Sequence, residues 1–362
     1  MTTGFLKHAP LKAALAIAVL AGGILAPAAK SYADDFDKIK AAAEKEGTLV
    51  LWATSPREYT TPKLEQLFNK RFGTNINISR VAVEGGNVDS RLIAEAQGGK
   101  ISVDVFVAND RHLPTLTKRN LLEKVDWVAT FGDHIDKNLL KDAADDVMPE
   151  FAGYAMGFYD SLFGIMYNTN AVTPDQAPTK WEDLADPKWQ RKISIDNELS
   201  PLSRLVPIIG KDKVLDLGKR IVANNPVFVN NITNVPARVV SGETPVGAAT
   251  LTAALAEKNK GAPVELVYPE PQAIASQQLL FIAKGAPHPN LAKLFVAWLG
   301  SEGMLTEPMI AEGSLRARPG APGAFGKYYT EHNLTVKHAK TMDELQETVT
   351  IRKPLQALVR TR

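Results

Sequence analysis

The stretch EGTLVLWATSPREYTTPKLEQLFNKRF, residues 46–72, decides the fold. Gly47 ends a preceding helix, and Thr48 to Ala53 is an unbroken apolar run. A run with no polar alternation is what a parallel strand buried on both faces requires. Thr54 to Thr61 is a polar turn. Thr61 is expected to cap a helix with Pro62 at its first position, where a missing N–H costs no hydrogen bond. Leu64, Leu67, Phe68 and Phe72 follow at helical spacing. Strand, loop and helix in this order build one unit of a parallel sheet covered by helices.

The unit recurs on both sides of this stretch. Asp34 to Glu46 reads as an amphipathic helix with Phe36, Ile39 and Ala43 on one face. Downstream, Asn77 to Val83 reads as a strand and Glu84-Gly85-Gly86 as a turn, with Asn87 capping a helix through Ala96. Val103 to Ala108 (VDVFVA) is a third strand, followed by Asn109-Asp110 and a helix from about Arg111 to Asn120. Gly153 to Tyr167 reads as one long, aromatic-rich extended stretch. Ile193 to Ile195 is a short strand, with helices around Pro201–Ile209, Lys211–Asn224 and Val235–Ser241. Pro245 to Ala249 (PVGAA) is a strand entering the helix Thr250–Asn259, which makes a second α/β unit. Val264 to Tyr268 and Ala275 to Ala283 are extended and lead to a strongly apolar helix, Asn290 to Gly300. One or two further helices fill the C-terminal region.

Composition sets the outer bounds. The chain has 362 residues, 45% hydrophobic and 23% charged, an ordinary globular balance with length for two domains. Lys7 and Lys12 precede an uncharged apolar run, Ala13 to Ala26, and Ser31-Tyr32-Ala33 places small residues at a cleavage site. This is a three-part export signal, too short for a membrane span of about 20 residues. Removing residues 1–33 takes away Lys7, Lys12 and Lys30 and leaves a nearly neutral chain, with no electrostatic footprint for nucleic acid. The chain has no cysteine, which excludes a lipid-modified cysteine, disulfides, iron–sulfur clusters and thiolate zinc sites. The expected compartment is the periplasm.

Five segments carry a family likeness: EGTLVLW (46–52), VDVFVAND (103–110), GIMYNTNAV (164–172), PTKWEDLADPKWQRKISI (178–195) and GAPHPNLAKLFVAWLGSEG (285–303). With the export signal, the chain resembles the extracellular solute-binding proteins of ABC importers with the type II periplasmic-binding-protein fold. It is most similar to the ferric, thiamine, polyamine and phosphonate binders. The resemblance implies two α/β lobes joined by two crossing strands, with a ligand cleft between them and closure by a hinge. It places a signal peptide at 1–33, lobe one at 34–153 plus 276–310, lobe two at 154–275, and C-terminal helices at 311–362 packing on the lobes. The crossings are expected near Gly153–Tyr159 and Pro269–Ser276. The implied partners are a small-molecule ligand and an inner-membrane permease, and the protein is expected to be a monomer without a cofactor.

Ligands of open parallel sheets bind beyond the carboxyl ends of the strands. That rule selects the loops Thr54–Tyr59, Glu84–Asn87, Asn109–Arg111, Asp196–Glu198 and Ala249–Thr252. Arg57 can grip a carboxylate or phosphate through two hydrogen bonds, or stand solvated in its loop. Ser55 can donate to a ligand or cap a turn, and Glu58 can balance an amine or face water. Asn109 offers a donor and an acceptor, or caps a helix. Asp110 favours a cationic group. Tyr159 can stack on a ligand or pack between lobes. Asn197 and Thr250 are placed to hold the ligand from lobe two, with capping as the alternative. The balance of Arg57 and helix N-termini against Asp110 and Glu58 favours an organic anion.

The similar ferric binders use paired tyrosines after the PVGAA-like strand, a carboxylate after the VDVFVA-like strand and often a histidine in the first loop. This chain has Thr250-Leu251, Asn109 and Ser55-Pro56-Arg57 there. Neutral side chains do not replace phenolates on hard ferric iron, so bare iron is disfavoured while an iron chelate stays open. Tyr328-Tyr329 lies elsewhere and reads as packing, and His288 as part of a helix-start turn. No hydrolase, kinase, metalloprotease or dinucleotide motif is present, so an exported enzyme is a weak alternative. A ligand-sensing subunit for a receptor is a third.

Overall fold

The computed structural model describes residues 1–2, 36–83, 88–318 and 320–361. The export signal and the Glu84–Asn87 loop with its Asn87 cap lie outside the described residues.

The apolar runs form strands as expected. The first sheet contains β1 (Thr48–Trp52), β2 (Asn77–Val81), β3 (Val105–Asn109), β4 (Met156–Ser161) and, from much later in the chain, β10 (Ser276–Ile282). Its order is β2-β1-β3-β10-β4. β1 is parallel to β2 and β3, and β10 runs antiparallel between β3 and β4. The second sheet contains β5 (Phe163–Asn168), β6 (Ile193–Asp196), β7 (Val227–Val229), β8 (Val246–Thr250) and β9 (Val264–Val267), in the order β7-β6-β8-β5-β9. β6, β7 and β8 are parallel, while β5 is antiparallel to β8 and β9. The molecule is thus two lobes, each a mixed five-stranded sheet with helices on its faces.

The first crossing is sharper and later than expected. Met156 to Ser161 pairs with β10, so it belongs to the first sheet and not to lobe two, and the change of sheet falls on Leu162. Met156 and Phe158 bury into the first-lobe core, whereas Phe163, Ile165 and Tyr167 bury into the second. Only Leu162 separates the two strands, with no glycine or proline at the join itself, which is why the sequence reads as one stretch. The second crossing links β9 to β10 through residues 268–275.

Lobe one depends on the helix Pro289–Leu299, eight of whose residues are buried. Phe295 and Trp298 meet Phe68 at ring-centroid distances of 5.7 and 5.4 Å. Each such side chain contributes roughly 1.5–3 kcal/mol by leaving water. Glu46 caps this helix by accepting from the backbone N–H of Leu291 at 2.7 Å, and His288 precedes it in a helix-start turn.

Some helical detail departs from expectation. The helix after the first loop begins at Thr61, and Thr60 stands at its cap without a side-chain bond. Thr61 Oγ1 instead donates to the Arg57 carbonyl at 2.9 Å. The helix expected at Arg111–Asn120 opens as a 3-10 turn, Asp110–His112, before Leu113–Lys118. Pro201–Ile209 is two short helices, Ser200–Ser203 and Val206–Ile209. The helices Trp127–Phe131 and Lys137–Asp145 were not foreseen.

The C-terminal region binds both lobes. The helix Gly323–Glu331 packs on Leu251–Asn259, and Arg352–Arg360 packs on Lys211–Ala223, both in lobe two. Between them, Met342–Thr350 touches both Asp110–His112 of lobe one and Val206–Ile209 of lobe two.

Candidate ligand site

Three polar side chains stand in a row at the carboxyl end of the first sheet. Asn109 of β3 faces Gln278 of β10, which in turn faces Tyr159 of β4. Residues directly opposite in an antiparallel ladder share a face, with Cβ atoms about 5 Å apart. All three are half-buried. Asn109 Oδ1 is buried and has no hydrogen-bond partner among the described residues, which leaves it an acceptor in want of a donor. Gln278 is a member of this row that the sequence reading missed. Only its place opposite Asn109 reveals it.

The first loop folds over this row. Burial pushes the Tyr159 phenol up to about 12, partly offset by its hydrogen bond with Thr54, so it stays a neutral donor at physiological pH. Ser55 is buried, and its Oγ donates to Glu312 Oε1 at 2.5 Å. The backbone N–H of Arg57 donates to Glu312 Oε2 at 2.9 Å. The Arg57 guanidinium is exposed and, among the described residues, hydrogen-bonds only Tyr59 Oη, at 3.4 Å. Tyr59 is 65% exposed, an aromatic ring left open beside the Arg57 guanidinium. Glu58 is also exposed. Arg80 Nε donates to the Pro56 carbonyl at 2.7 Å and holds the loop from behind. Ser55, Arg57 and Tyr159 are therefore brought together, with Tyr59 and Glu312 added to them.

Asp110 belongs to a different group. It forms a two-pronged ion pair with Arg204 of lobe two, at 2.8 and 3.0 Å, with the two residues only 3% and 6% exposed. Arg204 also donates to the Ala275 carbonyl and to Ser276 Oγ, so it sits where the second crossing enters β10. Both carboxylate oxygens of Asp110 are engaged. The expectation that Asp110 receives a ligand cation is corrected by this pairing. Arg111 beside it has no carboxylate partner among the described residues and donates from Nε to His112 at 3.2 Å. Burial, and then the charge of Arg204, lower its pKa, against the charges of Asp89 and Asp110, which raise it.

On lobe two, Asn197 follows β6. Its backbone N–H donates to the Val229 carbonyl at 2.9 Å, and its side chain reaches Asn230 at 3.5 Å. Thr250 ends β8, is buried, and makes no side-chain cap to the helix Leu251–Asn259. Neither residue hydrogen-bonds a lobe-one side chain among the described residues. Between them, Asp196 is pushed up to about 6 by burial, against the hydrogen bonds it accepts from Ser200.

Tyr328 and Tyr329 are both buried in the lobe-two core, with the Tyr328 ring stacked on His332 at 4.0 Å. Among the described residues there is no group of three His, Asp or Glu side chains placed to hold a metal ion. No helix of the described residues is long and apolar enough to cross a membrane.

Two α/β lobes joined by crossing segments, with polar side chains converging at their strand ends, define a two-lobed capture protein. The chain belongs to the bacterial extracellular solute-binding proteins, whose family profile matches residues 63–332. This is a periplasmic, non-enzymatic class that serves transport. An uncharacterised protein of Haemophilus influenzae is 23% identical over 276 residues, covering 73% of this chain and 76% of that one. Among solved structures, iron-bound HitA from Pseudomonas aeruginosa is 17% identical with a TM-score of 0.64, over 86% of this chain and 99% of its own. AfuA from Actinobacillus pleuropneumoniae, bound to fructose-6-phosphate, is 21% identical with a TM-score of 0.62, over 87% of this chain and 97% of its own. At these identities the likeness is one of fold.

Proposed function

We propose that the protein captures a small organic anion in the cleft, closes on it by a hinge and hands it to an ABC permease. The observation that supports this most is the division of charge. Asp110, the residue that favoured a cationic ligand, is neutralised by Arg204, whereas the guanidinium of Arg57 stands exposed without a carboxylate partner among the described residues. A guanidinium offers two parallel N–H donors to a carboxylate or phosphate. The row Asn109–Gln278–Tyr159 supplies acceptors and donors for the remainder of the ligand, and Asn197 and Thr250 approach from lobe two. The structural neighbours' bound iron and fructose-6-phosphate span too wide a chemistry to name the ligand.

The test is thermal-shift screening of the chain lacking residues 1–33, refolded free of carried-over ligand. The panel is organic acids, phosphonates, sugar phosphates, polyamines, thiamine and ferric chelates. A ligand that binds the folded state raises the melting temperature saturably. An acid is expected to do so, and Arg57→Ala to weaken it at least tenfold, about 1.4 kcal/mol. A shift with polyamines alone refutes the anion reading.

A further inference from the structure

The donors of the first loop are already taken. Ser55 Oγ at 2.5 Å and the Arg57 N–H at 2.9 Å both point to the carboxylate of Glu312, which comes from the end of the helix Glu307–Glu312. Ser314 Oγ adds a third hydrogen bond at 3.2 Å. A hydroxyl and a backbone N–H at the carboxyl end of a strand, ahead of a helix, are a place for a ligand's acidic group. Here the chain's own acid fills it. The Glu312 charge also acts on Tyr159, so the carboxylate lies close to the polar row.

The geometry points to Glu312 as a specificity-determining residue that excludes a second acidic group from the cleft and faces a cationic group of the ligand. This rests on the anion reading above. The guanidinium of Arg57 remains open for one acidic group, while the half-buried Glu312 sets its carboxylate 2.9 Å from the Arg57 backbone N–H. A dianion meets repulsion at Glu312, whereas a protonated amine meets an acceptor. Asn109 Oδ1 has no donor among the described residues, and Glu312, though it accepts three hydrogen bonds, has no cationic side chain paired with it among them. The ligand class is thus a zwitterion with separated acidic and amino ends.

Inorganic phosphate is the first probe, since it needs no knowledge of the ligand. With matched chloride controls, phosphate is expected to leave the melting temperature of the wild type unchanged. It is expected to raise that of Glu312→Gln and Glu312→Ala saturably, and Arg57→Ala added to either variant is expected to reduce the gain. Equal stabilisation of wild type and variants, or none in either variant, overturns the proposal. The second probe is a pair of equal length, 5-aminopentanoate and glutarate, compared by calorimetry. Wild type is expected to favour the amino acid at least tenfold, and Glu312→Gln to erase that preference. Preference of the wild type for the diacid overturns the role of Glu312 and leaves the anion reading standing. Binding of both compounds unaffected by Arg57→Ala removes the anion reading instead.

Discussion

Arg204 carries a full charge into the wall of the cleft, and Asp110 is what makes that tolerable. Removing one partner of a buried ion pair leaves the other charge uncompensated, at a cost of about 3–5 kcal/mol. Asp110→Asn is therefore expected to lower stability by about 3 kcal/mol in urea unfolding. A loss below about 1 kcal/mol would mean that the pair is solvated. Spacing along the chain hid this contact, because Asp110 and Arg204 are 94 positions apart, and Ser55 and Glu312 are 257 apart. Residue type and strand-end position pointed to Ser55, Arg57 and Asn109, and the crossing pointed to Tyr159. They were not enough to show which of their polar groups are satisfied within the protein. That depends on partners brought in by the fold, and it is why Asp110 read as a receptor for cations and Glu312 was not seen.

At the level of elements, tight joints are made by small residues. Gly247 in β8 lies under the helix Val235–Val240, and a Cβ there meets Val235 Cγ1 at 2.5 Å, Val239 Cγ2 at 2.8 Å and Ser194 Oγ at 2.9 Å. Overpacking of this kind costs about 1–3 kcal/mol. Gly247→Ala is expected to lower the urea midpoint by a corresponding amount, and an unchanged midpoint would show that the helix lifts freely from the sheet. TLVLW, VDVFVA and PVGAA were legible as strands because each is a short apolar run bounded by turn residues. The Leu162 join was not, since strand propensity is the same on both sides and only the pairing partner changes. The helix Lys137–Asp145 escaped notice even though Leu140 and Ala143 give it a buried stripe.

Across the whole molecule, a line of buried charge ties the crossings to the C-terminal segment. His338 Nε2 lies 2.7 Å from Asp160, at the end of β4, and Nδ1 lies 3.8 Å from Asp146. Asp160 also accepts from the Ala317 N–H at 2.8 Å, and the Ala275 N–H of the second crossing donates to the Lys337 carbonyl at 2.7 Å. Burial pulls the His338 pKa down. The hydrogen bond with Asp160 and the charges of Asp160, Asp146 and Asp110 outweigh it and bring the value to about 9, above the ordinary 6.5. A raised folded-state value means that the contribution is complete below about pH 6.5 and is lost as pH rises through about 9. Wild type is expected to exceed His338→Gln in urea midpoint at pH 6, with the gap closing by pH 9.5. A constant gap would mark packing alone. The interleaving of the chain also has a consequence for its synthesis. The first-lobe core requires Phe295, Trp298, Met309 and Leu315, whereas the strands of the second lobe are complete at Val267. The second-lobe cores in turn take Phe325 and Tyr328, then Ile351 and Leu355, so neither lobe can close until nearly the whole polypeptide has left the ribosome. For a protein that must leave the cytoplasm, that delay keeps the chain threadable until export has begun.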